Sequence, residues 1–223
     1  MLRFANRTEA GRLLAQRLAA ENLDRPVVLA LPRGGVPVAV EIARALHAPL
    51  DLLLVRKIGV PWQPELAVAA VVDGGRPDLV IDTAIQREAG IDTEYIEREA
   101  EVQRGEIARR RHLYLGARAA VPVEGCTAIV VDDGIATGTS MRAALQALRR
   151  RAPARLVLAV PVAPPETLAR LRPEVDQIVC LSQPSPFMAI GPYYDDFHQL
   201  ADSEVTALLR AATPSQAAAG SDA

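Results

Sequence analysis

The sequence predicts a single α/β domain with a mainly parallel sheet and helices on both faces of that sheet. Short apolar segments rich in β-branched residues alternate with segments of helical periodicity, the pattern of strands that are buried on both sides. The chain has 223 residues, 50% of them hydrophobic, which is enough for one well-formed core. The candidate ligand-binding loops all follow predicted strands, and open parallel sheets bind their ligands at that edge.

In the N-terminal half, apolar runs predict strands and leucine spacing predicts the first helix. Thr8 is a capping residue before a stripe formed by Leu13, Leu14 and Leu18. Two prolines and a glycine lie between the apolar runs 50–57 and 66–72, which predicts a loop between these two strands. The predicted elements are, in chain order, a helix over 9–21, a strand over 27–31, a turn over 32–35, a helix over 36–46, a strand over 50–57, a loop over 58–65 and a strand over 66–72.

The middle of the chain is highly charged. Acids precede bases by four residues in Glu94–Arg98 and Glu106–Arg110, the stabilising order on a helix, so a long exposed helix is predicted. Pro165 suits the first position of a later helix, and Asp202 can cap the last one. The remaining predicted elements are strands over 126–133, 155–163 and 176–182 and a helix over 140–151.

These elements form one domain over residues 1–212. Within it, we expect a helical insertion over 76–118 and a small hood over 183–200. The segment 213–223 is rich in alanine, serine and glycine, a composition that predicts a disordered tail.

Composition and charge exclude several classes of protein. A net charge of −2 argues against a broad nucleic-acid-binding surface. No apolar run reaches the roughly 20 residues of a membrane span, and the N-terminus lacks an apolar signal core. Cys126 and Cys180 are too few and too scattered for a metal site and are expected to be reduced. We therefore expect a cytoplasmic protein with no nucleic-acid or membrane partner, and a homodimer is compatible with the sequence.

The segment 129–141 carries the most information about function. Three β-branched residues lead into two adjacent carboxylates, Asp132 and Asp133, and a short loop then enters a helix. Backbone N–H groups at such a junction are unpaired, and small residues let a phosphate approach them. The predicted phosphate-binding residues are Gly134, Ile135, Ala136, Thr137, Gly138, Thr139 and Ser140. An ordinary strand–turn–helix with an aspartate cap is the alternative interpretation.

This segment is neither a Walker A loop nor a dinucleotide-binding glycine fingerprint. The Asp-Asp-x-x-x-Thr-Gly-x-Ser order resembles the motif for 5-phosphoribosyl pyrophosphate (PRPP) of type I phosphoribosyltransferases. The resemblance implies that Asp132 and Asp133 face the ribose and that the loop holds the 5′-phosphate. It also implies Mg²⁺, held chiefly by oxygens of the ligand and by water, with a contact from Asp132 or Asp133.

PRPP requires a second anion site, for its pyrophosphate. Arg33, Gly34 and Gly35 follow the first predicted strand, where glycines free the backbone to approach a ligand and the arginine adds a forked cation. The family resemblance implies a non-proline cis peptide here, which would be the bond between Pro32 and Arg33. Read without that resemblance, Arg-Gly-Gly is a common turn.

Arg56 and Lys57 end the second predicted strand and are also assigned to the pyrophosphate by the resemblance. Lys57 is the one lysine among 25 basic residues, which hints that this position needs a compact ammonium group. The following loop, 58–65, is expected to close over the site and exclude water. A basic residue at a solvated strand end is the alternative.

The acceptor side of the site is predicted from aromatic residues. Phe187, Tyr193 and Tyr194 lie in an aromatic-rich segment of an aromatic-poor chain, where they could stack on a heterocycle or seal the core. Purine-salvage members of the family have an acid just before the Thr-Gly pair of the phosphate loop, whereas this chain has Ala136. A hypoxanthine or guanine enzyme is therefore disfavoured, and the chain is most similar to uncharacterised bacterial phosphoribosyltransferase-domain proteins.

The resemblance as a whole implies a Mg²⁺-dependent glycosyltransferase of the pentosyltransferase class, active in nucleotide metabolism. A nitrogen nucleophile, such as a small heterocyclic base, would displace pyrophosphate from PRPP, with Lys57, Asp132 and Asp133 as the catalytic residues. The alternative is a regulatory protein that binds PRPP or a nucleotide without turnover.

Overall fold

The computed structural model describes residues 2–73 and 77–212, so the predicted tail over 213–223 lies outside the described residues. The strands are β1 (Pro26–Ala30), β2 (Leu50–Leu52), β3 (Val55–Val60), β4 (Gln63–Val72), β5 (Asp78–Ile81), β6 (Thr127–Val131), β7 (Arg155–Val162) and β8 (Gln177–Ser182). The α-helices are α1 (Arg7–Ala19), α2 (Gly35–Leu46), α3 (Thr83–Glu88), α4 (Thr93–Leu115), α5 (Thr139–Arg149), α6 (Pro165–Leu171) and α7 (Asp202–Ala212).

The main sheet confirms the predicted fold class. Its five strands run in the order β2-β1-β6-β7-β8, and all neighbours are parallel. Alternate residues of β1 face opposite sides of the sheet: Val28 and Ala30 join the core beneath α1, α2 and α7. Val27 and Leu29 join the core beneath α5 and α6. The continuous apolar runs of the sequence thus reflect burial on both faces.

The strand order changes direction between β1 and β6. From β1 the chain crosses to β2 on one side, whereas β6 continues to β7 and β8 on the other side. Because β1 and β6 are parallel neighbours, in register from Pro26–Thr127 to Ala30–Val131, the loops that follow them leave the sheet side by side. The turn at 32–35 and the loop after β6 therefore meet.

The predicted strand over 50–57 and loop over 58–65 are wrong in detail. The strand is divided between β2 in the main sheet and β3 in a separate antiparallel sheet, ordered β3-β4-β5. Most of the predicted loop is a hairpin, with β3 ending at Val60 and β4 beginning at Gln63. The register shifts around Gly59, where a Cβ would lie 2.2 Å from the Pro64 carbonyl oxygen. Pro64 lies in β4 at this irregularity, and irregular positions of a strand tolerate proline.

The segment 76–118 contains β5 as well as the helices α3 and α4. The long charged helix was predicted correctly, and its Glu106–Arg110 pair forms at 2.8 Å. The predicted cap of the first helix is wrong: Asn6, not Thr8, accepts a hydrogen bond from the Glu9 amide. As a result, Arg7 is the first residue of α1.

Neither cysteine forms a disulfide. Among the described residues, no helix combines the length and the apolar character that a membrane crossing requires.

A buried cluster of charges joins α4 to both sheets. Arg111 on α4 donates two hydrogen bonds of 3.0 Å to Asp51 on β2 and one of 2.7 Å to Asp73, which follows β4. The two aspartates are 2% and 5% exposed. Asp51 also accepts hydrogen bonds from the amides of Leu52 and Val121. This cluster fixes the small sheet relative to the main sheet.

We predict that Arg111→Met destabilises the fold by about 3–5 kcal/mol, because it leaves two buried carboxylates without their shared counterion. Arg109→Met on the same helix is the matched control. Arg109 is 61% exposed in its pair with Glu106, so its loss is expected to leave the denaturation midpoint nearly unchanged. Urea denaturation of both variants measures the difference, and equal midpoints would contradict the anchoring role of Arg111.

Candidate functional site

The loop after β6 enters α5 without a side-chain cap. Gly138, at the cap position, has a left-handed φ of 79°. A Cβ at this position would lie 2.9 Å from Thr167 Cγ2, so both backbone conformation and space favour glycine. The first N–H groups of α5 therefore have no side-chain partner at the cap, as the phosphate-loop hypothesis requires. Thr137 and Thr139 on either side are exposed.

The turn after β1 packs directly on the acidic pair. The peptide bond between Pro32 and Arg33 is cis, which confirms the sequence-based expectation. A Cβ on Gly34 would lie 2.0 Å from Asp133 Oδ2, and a Cβ on Gly35 would lie 2.7 Å from the Val131 carbonyl oxygen. Only residues without a side chain allow this approach, so the two glycines bring the turn against the acidic pair.

The two acids are in different environments. Asp132 is half-buried, and its Oδ1 accepts a hydrogen bond of 2.9 Å from the Asp133 amide. Asp133 is 7% exposed and forms an ion pair with Arg7, with Nε 2.7 Å from Oδ2. Burial raises the pKa of Asp132 well above the usual aspartate range, and the charge of Asp133 adds to the effect. Burial also raises the pKa of Asp133, although Arg7 opposes this shift.

Lys57 and the phosphate loop line one cavity of about 680 Å³. Thr137, Gly138 and Thr139 form one wall, and residues of β4, β5 and α3 form another. Arg142 and Arg170 also line the cavity. The small sheet therefore brings Lys57 to the loop that follows β6, although 80 residues separate Lys57 from Thr137 in the sequence.

Arg56 does not line this cavity. Its Nε donates a hydrogen bond of 3.2 Å to the Gln103 side chain on α4. Neighbouring residues of a strand point to opposite faces, so Arg56 faces α4 whereas Lys57 faces the cavity. The contact of Arg56 with the pyrophosphate stays a prediction.

Arg33 lies near an acid that sequence reasoning treated only as a helix cap. Arg33 Nη1 is 3.8 Å from Asp202 Oδ1 at the start of α7. The same oxygen accepts a hydrogen bond of 2.5 Å from the Tyr114 hydroxyl on α4. Burial, together with this hydrogen bond, raises the pKa of Tyr114 to about 12. Asp202 thus compensates the charge of Arg33 and joins the turn to α4.

The aromatic segment lies against the phosphate loop. Ile190 Cγ2 would be 2.7 Å from a Cβ on Gly134. Tyr193 and Tyr194 are 4% and 2% exposed, and Tyr194 donates a hydrogen bond of 2.6 Å to the Asp133 carbonyl. This burial favours the interpretation that the two tyrosines complete the core. Phe187 is half-buried and stacks on Tyr193 with 5.6 Å between ring centres.

Sequence reasoning missed Arg7. It is one of 24 arginines, on a helix with no apparent link to the motifs. The contact becomes visible only when α1 packs on the sheet, because Arg7 and Asp133 are 126 positions apart.

Three comparisons relate the chain to known proteins. Residues 5–196 match the family model described as a phosphoribosyl transferase domain. Two Mycobacterium tuberculosis proteins (strains CDC 1551 and H37Rv), each provisionally named a phosphoribosyl transferase, are 44% identical over 217 residues, which are 97% of this chain. The chain covers 48%, about half, of the length of these relatives. The crystal structure of TT1426 from Thermus thermophilus has a TM-score of 0.83 and 45% identity, covering 93% of this chain and 98% of that one.

We predict that Gly34→Ala destabilises the fold by about 1–3 kcal/mol, because the new methyl group overlaps the Asp133 carboxylate. Displacement of the turn should also weaken binding of inorganic pyrophosphate about tenfold or more, about 1.4 kcal/mol. Titration calorimetry and thermal unfolding measure the two effects.

The control for this substitution is Gly105→Ala, in the middle of α4, where no described residue beyond its chain neighbours and the backbone of its own helix comes within 4 Å of the added Cβ. It should stabilise the helix by up to about 1 kcal/mol and leave anion binding unchanged. Unaltered pyrophosphate binding by Gly34→Ala would argue against an anion site at this turn.

Proposed function

This chain belongs to the phosphoribosyl transferase domain family, and we propose that it transfers the 5-phosphoribosyl group of PRPP to a nitrogen nucleophile. The observation that carries the proposal is the convergence of the predicted anion sites. The Arg33–Gly34 turn packs on the acidic pair, and Lys57 shares a cavity with the phosphate loop. A phosphorylated sugar with a second anionic group needs this combination of donors.

Each part of PRPP has a proposed partner. The 5′-phosphate binds the N–H groups and hydroxyls of residues 134–140 at the start of α5. The ribose hydroxyls face Asp132, the more accessible acid of the pair. The pyrophosphate lies between Lys57 and the turn carrying Arg33, where Arg33 exchanges its contact with Asp202 for the ligand.

The proposed reaction breaks the bond between the anomeric carbon and the pyrophosphate oxygen and forms a bond from that carbon to nitrogen. The leaving oxygen keeps the bonding electrons, and Lys57 and Arg33 stabilise the charge that develops on it. The acceptor nitrogen supplies the new electron pair and loses its proton to solvent or to a group of the acceptor. Positioning of the two reactants supplies most of the remaining rate enhancement.

The donor set fits Mg²⁺ as a companion of the ligand. Among the described residues, no group of three or more His, Cys, Asp and Glu side chains could form a protein-only metal site. Asp132 offers carboxylate oxygens beside the proposed pyrophosphate position, whereas Asp133 is already paired with Arg7. Mg²⁺ commonly takes one or two carboxylates and completes its shell with phosphate oxygens and water. When bound, it would neutralise pyrophosphate charge.

A regulatory protein that binds PRPP without turnover is the second candidate. Ala136 favours it, since the position where purine-salvage members have an acid carries only a methyl group. Asp132, Arg33 and Lys57 serve binding in both cases, so they do not distinguish the two functions.

The proposal is tested by titrating the purified protein with PRPP and Mg²⁺, and by following pyrophosphate release with a panel of purine, pyrimidine and amine acceptors. Saturable binding with release on at least one acceptor is expected. Binding without release on any acceptor would support the regulatory candidate, and absence of PRPP binding would contradict both.

We predict that Lys57→Met lowers turnover about a hundredfold while weakening PRPP binding less than about tenfold, because leaving-group charge grows in the transition state. Arg56→Met is the matched control, since this neighbour points away from the cavity and should retain near-normal turnover. Initial rates and PRPP dissociation constants of both variants measure the split. If Lys57→Met loses affinity but keeps its turnover, Lys57 is a ground-state binding residue.

A further inference from the structure

A buried arginine outside the predicted ligand loops contacts the acidic pair. Arg7 is 8% exposed. Its Nε lies 2.7 Å from Asp133 Oδ2, and its Nη1 donates a hydrogen bond of 3.0 Å to the His198 carbonyl. Its guanidinium carbon lies 3.9 Å from the centre of the Phe197 ring, a cation–π distance. Three parts of the chain therefore fix the position of this cation: α1, the segment 197–198 and the acid.

Asp133 is enclosed by these contacts and by the turn after β1. Its Oδ2 faces Arg7, and the same oxygen would be 2.0 Å from a Cβ on Gly34, so the Gly34 backbone lies directly on the carboxylate. The Tyr194 hydroxyl fixes the main chain of the same residue through the Asp133 carbonyl. Because it is enclosed in this way, the Asp133 carboxylate supports the Gly34 backbone and has little surface left for contact with a sugar.

Asp132 is more accessible, although a Cβ on Gly35 would lie 3.3 Å from its Oδ1. It is half-buried, and no basic side chain of residues 2–73 or 77–212 lies within ion-pair distance of it. The two neighbouring acids, which the sequence leaves equivalent, thus differ in accessibility and in charge compensation. Arg7 makes the difference, because it contacts only the second acid.

We propose that Arg7 is a positioning residue that holds the Asp133 carboxylate beneath the Arg33–Gly34 turn and leaves Asp132 as the acid that meets the ribose. This inference rests on the proposed function. Arg7 touches no part of the proposed ligand and acts through Asp133 and the turn. Without Arg7, the Asp133 carboxyl group loses its counterion and its fixed position beneath the turn, and it is free to displace the turn.

A purely structural role makes a different prediction. Buried ion pairs are often replaced by apolar residues of similar size without loss of stability, so fold stability alone does not require this pair. If Arg7 only ties α1 to the sheet, its loss changes the unfolding midpoint and leaves the ligand affinity of the folded protein unchanged.

The test compares PRPP dissociation constants, measured by titration calorimetry with Mg²⁺, and thermal midpoints for four proteins: wild type, Arg7→Met, Arg7→Lys and the R7M/D133N double variant. Arg7→Met should bind PRPP at least about tenfold more weakly than wild type. The double variant should recover part of the loss, because it removes the buried acid that has lost its counterion. Arg7→Lys, which keeps the charge, should bind more tightly than Arg7→Met. Inorganic pyrophosphate should follow the same order.

Arg12→Met is the matched control on the same helix. Arg12 is 66% exposed in its ion pair with Glu41, and its replacement should leave PRPP affinity unchanged. Folded Arg7→Met with wild-type affinity would overturn the inference, whatever its thermal midpoint. If Arg7→Met does not fold, Arg7→Gln decides in the same way, since wild-type affinity of that uncharged variant would also overturn the inference. Wild-type protein that fails to bind PRPP would overturn the proposed function and the role of Arg7 together.

Discussion

The parallel pairing of β1 with β6 is the constraint on which the rest of the site depends. It places the ends of two strands that are about a hundred residues apart in sequence at adjacent positions of the sheet, where the strand order changes direction. The turn after β1 and the loop after β6 then have to share one space. Gly34 and Gly35 make this geometrically allowed, because any side chain there would overlap the backbone or carboxylate of residues 131–133.

The close packing of the two loops places acids next to a proposed anion site, and basic residues from distant elements lie near them. Two adjacent acids lie next to a site proposed for an anionic ligand, and burial favours their neutral forms. Arg7 from the first helix compensates one of them at 2.7 Å. Lys57 from the small sheet lines the cavity beside the phosphate loop, together with Arg142 and Arg170, and Arg33 lies in the turn that packs on the acidic pair. Asp202 lies 3.8 Å from Arg33.

The small antiparallel sheet is therefore part of the site as well as of the fold. Strand β3 of this sheet carries Lys57. The position of the small sheet relative to the main sheet depends on Arg111, which bridges Asp73 after β4 and Asp51 on β2. Arg56 and Lys57 are neighbours in β3, and successive side chains of a strand point to opposite faces of the sheet, so only one of the two faces the cavity. Lys57 does, and its neighbour Arg56 turns to α4.

The cis peptide at the turn after β1 was an expectation from the family resemblance. Local sequence was enough to predict the parallel α/β class, most of the main-sheet strands and the candidate phosphate loop. Apolar runs, small residues and acids in a fixed order encode each of these within a few positions. The hairpin in place of the loop over 58–65 was not predictable in this way, since Pro61 lies in its turn and Pro64 lies where the pairing with β3 is irregular. Long-range packing determines that Arg56 contacts Gln103 on α4, that Tyr193 and Tyr194 are buried, and that Arg7 pairs with Asp133. Those outcomes depend on contacts between residues far apart in the chain, where one arginine among 24 carries no local signal of its partner.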